Sequence, residues 1–114
     1  MRRFAFLAFA AALAACASTP PQTQAGAVVE RGQQIAATRC ASCHAIGAAG
    51  DSPAPDAPPF RTLSTRYPVD ALEEALAEGI SVGHPAMPAF EFAPDDVTAL
   101  VQYLQSIQTA NSGA

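Results

Sequence analysis

The chain has 114 residues, half of them apolar, and a formal net charge of −4. That length allows one small domain. There is no lysine, and from Cys16 onward four arginines stand against ten carboxylates, a net of −6. A chain so charged excludes nucleic acid and anionic lipid headgroups as direct partners and favours proteins with basic docking faces.

The first residues read as a targeting segment. Met1-Arg2-Arg3 is a charged start, and Phe4 to Ala15 form an apolar run of twelve residues. That is signal-peptide length and too short to span a bilayer as a helix. It ends in Leu13-Ala14-Ala15-Cys16, which resembles a bacterial lipoprotein signal, where cleavage exposes the cysteine for acylation. Ordinary cleavage within Ala15-Cys16-Ala17-Ser18 is the alternative. Cysteine arithmetic favours acylation, because Cys16 would otherwise be an odd thiol in an exported protein. On this reading residues 1–15 are the signal, Cys16 is the lipidation site and first mature residue, and 16–26 form a flexible linker. A domain over 27–110 and a disordered tail over 111–114 complete the chain. The protein is then exported, lies on the periplasmic side and is anchored to a membrane only through lipid at Cys16.

Val28, Gly32, Ile35 and Ala36 fall at i, i+4, i+7 and i+8, one face of a helix running to about Arg39. Gly32 costs about 1 kcal/mol against Ala in a helix interior, which close approach of a second helix would justify.

The helix leads into Cys40-Ala41-Ser42-Cys43-His44. A C-x-x-C-H run reads as a c-type haem attachment site. Its two thiols can add across the vinyl groups of one haem, and the adjacent histidine can bind iron through an imidazole nitrogen. The predicted cofactor is one haem c, covalent through Cys40 and Cys43. A thioredoxin-like dithiol needs a βαβ context, which is not visible around Cys40. A structural zinc wants four ligands, and only His84 and Met87 could complete the set.

Ile46 to Pro59 is rich in Gly, Ala, Pro and Asp and has no periodicity, so it reads as a loop. Val69, Leu72, Leu76 and Ile80 then recur at helical spacing, with Gly79 as a stop. Met87 follows, 43 residues beyond His44, in Gly83-His84-Pro85-Ala86-Met87-Pro88. Methionine is most often a core gap-filler. Between two prolines in a short loop, a thioether suits a second axial ligand, which would favour ferrous iron and raise the reduction potential. His84 is the rival ligand, and bis-imidazole ligation would lower that potential.

A last helix is predicted from Ala93-Pro94-Asp95-Asp96, with proline and acids in its first turn. Its stripe is Val97, Leu100, Val101, Leu104 and Ile107, ahead of a polar tail from Thr109. The chain is therefore all-α. A domain this small commonly needs a staple, so its apo form is expected to be largely unfolded.

Cys40-Ala-Ser-Cys43-His44, Met87-Pro88 with the Asp-rich helix start, and Leu100-x-x-Tyr103-Leu104 together resemble the class I c-type cytochromes, over roughly Ala27 to Gln108. The resemblance implies the cytochrome c fold, three to four short helices with long loops wrapped around one haem. It also implies that the first and last helices cross, with Gly32 meeting Tyr103. A proline carbonyl, Pro58 with Pro59 as rival, would accept the proton on the far nitrogen of His44, and Phe60 would line the haem pocket. Arg61, Arg66 and Tyr67 become candidate propionate partners. The absent lysines depart from the mitochondrial type and put its docking mode in doubt. The implied function is one-electron transfer by a monomer between redox partners, with no substrate on iron and no enzyme chemistry. Two alternatives stand beside it: a haem subunit of a larger membrane oxidoreductase, and a gas-binding or peroxidatic protein with a displaceable Met87.

Overall fold

The computed structural model describes residues 23–79 and 86–109. The leader, Cys16, most of the linker, Ile80, His84 and the tail from residue 110 lie outside them. The described residues contain helices and no strand: α1 Gln24–Arg39, α2 Leu72–Glu78 and α3 Pro94–Ser106, with 3-10 helices at Phe60–Thr65 and Val69–Ala71.

α1 begins at Gln24, four residues before the apolar stripe and inside the stretch read as linker. The cause is local. Thr23 is the N-cap, and its hydroxyl accepts from the Gly26 amide at 3.4 Å, which satisfies one of the unpaired N–H groups of the first turn. Polar composition around two prolines hid that cap. At the other end Arg39 lies in the last turn, favourable to the helix dipole, and the Cys40 amide still reaches the Ala36 carbonyl at 2.9 Å.

α1 and α3 form the main packing pair. Their contact depends on small residues, with Gly32, Ala36 and Ala99 all buried. A Cβ built on Gly32 would run into the Ala99 carbonyl and lie 2.6 Å from the Cβ of Tyr103. The glycine permits the crossing. Tyr103 is buried, and its hydroxyl donates to the Ile46 carbonyl at 2.7 Å, tying α3 to the loop after the cysteine motif. At the rim, Arg31 pairs with Asp96 at 2.6 Å. Both groups are partly solvated, so this pair contributes under about 1 kcal/mol.

The stripe expected from Val69 to Ile80 is two elements. A 3-10 turn at Val69–Ala71 precedes α2, and α2 ends at Gly79 in the left-handed region, φ 74°. Glycine adopts that conformation without a steric penalty. Pro94 occupies the first turn of α3, and Val97, Leu100, Val101 and Leu104 are buried. The 3-10 helix Phe60–Thr65 had no periodic signal. Leu63 and Phe60 on it join the core formed by α2 and α3.

Candidate functional site

The cysteine motif forms where α1 unwinds. Ala41 still bonds back to the Ala36 carbonyl at 3.0 Å, while the amides of Cys43 and His44 both turn onto the Cys40 carbonyl. This tight reversal sets Cys40, Cys43 and His44 around one opening. Cys40 and His44 are buried and Cys43 is half-buried; the two cysteines are thiols rather than a disulfide.

The loop from Ile46 to Pro59 returns under the motif. The Ala54 amide donates to the Cys43 carbonyl, the Ala45 amide to the Ser52 hydroxyl, and the Phe60 amide to the Ala45 carbonyl. These bonds bring the Pro58 carbonyl to 2.8 Å from His44 Nδ1. A carbonyl only accepts, so Nδ1 carries a proton here, and Nε2 is the ring nitrogen that would ligate a metal. The Pro59 carbonyl is engaged elsewhere, accepting from the amide and hydroxyl of Thr62. Phe60 packs on the imidazole with ring centroids 4.8 Å apart.

Two adjoining lobes of a solvent-open cleft meet at this histidine, of about 740 and 710 Å³. Cys40, His44, Asp56, Met87 and Phe90 line both. The first has apolar walls from Phe60, Leu63, Leu72, Leu76, Leu100 and Leu104; Cys43, Pro55, Ala86 and Pro88 help line the second. The expected residues Cys40, Cys43, His44, Met87, Pro58 and Phe60 therefore all reach this cleft. Arg66 and Tyr67 line the first lobe. Arg61 lines neither lobe, and its guanidinium donates to the Gly50 carbonyl at 2.7 Å. Asp56, Phe90 and Phe92 were not singled out from the sequence. The two phenylalanines stack at 5.6 Å, and the Phe92 amide bonds to the Leu76 carbonyl, which fastens their segment to α2.

Burial pushes the Cys40 thiol up to about 11, against the opposing effect of Arg39 and with a smaller push from Cys43. A redox dithiol needs a thiolate of lowered pKa, so Cys40 is poorly suited to that chemistry. Among the described residues, no three His, Cys, Asp or Glu side chains gather as a metal site. What the cleft offers is two thiols, an oriented imidazole and apolar walls. These features fit a covalent haem.

The family comparison agrees with that chemistry. The cytochrome c family model matches residues 29–108. The chain belongs to the cytochrome c family; its fold is the cytochrome c fold and its cofactor is haem c. Comparison with curated proteins and with solved structures returns no match.

Proposed function

We propose that this protein is an exported one-electron carrier in which His44 and Met87 would be the two protein ligands of the haem iron. Haem supplies a metal that alternates between ferric and ferrous states. The chain supplies the constancy around it. His44 is held by Pro58 and Phe60, so its ring keeps one tautomer and one orientation through the cycle. Leu63, Leu72, Leu76, Leu100 and Leu104 give the first lobe apolar walls, which suit the face of a haem. With imidazole and thioether as ligands, no substrate needs to reach the metal, and docking against a donor and then an acceptor suffices.

The observation carrying this reading is the 2.8 Å contact between His44 Nδ1 and the Pro58 carbonyl, in a cleft that Met87 also lines. Visible and near-infrared spectra of the holo-protein test it, oxidised and reduced, beside Met87→Ala and His84→Ala. Loss of the sulfur-to-iron charge-transfer band in Met87→Ala alone is expected. A wild type without that band, or a change only in His84→Ala, overturns the ligand pair.

The same reading places the protein on the periplasmic side, held by lipid on Cys16, with partners that present basic faces to a chain rich in carboxylates. Intact mass and detergent partitioning of wild type and Cys16→Ser test the anchor. Equal, fully soluble behaviour of both sinks it.

A further inference from the structure

We propose that Asp56 shifts the redox balance of the haem by placing a negative charge on the wall of its cleft. This rests on the electron-carrier reading. Asp56 is the carboxylate that lines both lobes of the cleft, where the other charged groups are Arg39 and Arg66. Its backbone is fastened on either side. The Ala54 amide is bonded to the Cys43 carbonyl, the Ala57 amide closes a turn onto Ala54, and the Pro58 carbonyl engages His44. Ala57 is buried at 3% exposure, which anchors the backbone next to Asp56.

Asp56 makes no hydrogen bond or ion pair among the described residues; the ion pair found there joins Arg31 and Asp96. Its charge is therefore not neutralised by direct pairing with an arginine. Reduction adds one electron to ferric iron, lowering the positive charge of the site by one. An adjacent carboxylate stabilises the more positive, ferric side of that couple and so lowers the potential. Arg66, on the wall of the first lobe, acts in the opposite direction. Solvent screens Asp56 because its side is exposed, so its effect is moderate rather than dominant.

Reversible redox titration of the holo-protein tests this in wild type, Asp56→Asn, Asp56→Glu, Arg66→Gln and Glu74→Gln. Glu74 lies on α2, is exposed, and lines neither lobe. At a fixed ambient potential, Asp56→Asn lowers the ferric-to-ferrous ratio by about twofold to tenfold, the span expected of one partly solvated charge. Asp56→Glu stays near wild type, Arg66→Gln raises the ratio, and Glu74→Gln moves it less than Asp56→Asn. An unshifted Asp56→Asn, a shift of opposite sign, or an equal shift in Glu74→Gln overturns the inference. So does a shift accompanied by loss of the sulfur-to-iron band, because altered ligation then explains it. A wild type with no reversible one-electron couple overturns the carrier reading and this inference together. A normal couple indifferent to Asp56 overturns this inference alone.

Discussion

Gln108 reaches back 48 residues to Phe60, its Nε2 donating to the Phe60 carbonyl at 2.7 Å. The same side-chain amide accepts from the Ser64 amide at 2.8 Å and donates to Leu104 at 2.6 Å. Gln108, two residues beyond α3, thus holds the Phe60 and Ser64 ends of the 3-10 helix that carries Phe60 onto His44. Gln108→Ala leaves three partly buried backbone groups without this partner and is expected to cost about 1–3 kcal/mol. Denaturant unfolding of the holo-protein checks it; a loss below about 0.5 kcal/mol would mean that water replaces the amide.

Gly32→Ala adds a methyl group where the crossing of α1 and α3 leaves no room. The obstruction is the Ala99 carbonyl, backbone within a helix, which cannot swing aside like a flexible side chain. A loss of roughly 3 kcal/mol, at the upper end for overpacking, is expected in holo-protein unfolding. Wild-type stability in the variant would show that α1 and α3 slide apart freely.

Tyr103 links stability to alkaline pH. Burial raises its pKa, so folding favours the neutral phenol that donates to Ile46. A group raised in the folded state contributes fully below its unfolded value, near 10, and loses that contribution as pH climbs through the folded value. Tyr103→Phe should therefore be less stable by about 1 kcal/mol at neutral pH, with the gap narrowing above pH ~10. A gap independent of pH would separate the hydroxyl from the alkaline transition. Tyr67, also raised by burial against the opposing effect of Arg66, keeps some alkaline sensitivity in the variant.

Without haem the fold should not persist. Leu63, Leu72, Leu76, Leu100 and Leu104 all face the cleft that the cofactor fills, so its loss removes the common surface they pack on. The apo-chain is expected to show little helical circular dichroism and rapid proteolysis. A compact, protease-resistant apo form refutes this.

What could be read in advance was local. Cys40, Cys43 and His44 are adjacent in the chain, so their shared chemistry needs no tertiary information. Val97, Leu100, Val101 and Leu104 fall on one stripe of α3, and Gly79 marks the end of α2 by a conformation other residues avoid. Boundaries set by one hydrogen bond were less legible, as at Thr23, whose cap adds four residues to α1. The 3-10 helix at Phe60 has no amphipathic period because it is held from outside by Gln108. Asp56 had no signal at all. Its meaning comes from the loop that folds Ala54 onto Cys43, and a carboxylate in an Ala- and Pro-rich loop otherwise looks like one more solubilising charge.

The bond from the Phe92 amide to the Leu76 carbonyl has an evolutionary reading as well as a structural one. It makes the segment carrying Met87 leave and rejoin the helical scaffold at nearly one point. Loops tied at such a neck can lengthen, shorten or exchange residues at small entropic cost without moving the helices that flank them. If Met87 ligates iron as proposed, its ligand segment would be open to exchange. The His44 position, tied through Cys43, Ala45, Ser52, Pro58 and Phe60, would change only with its whole surroundings.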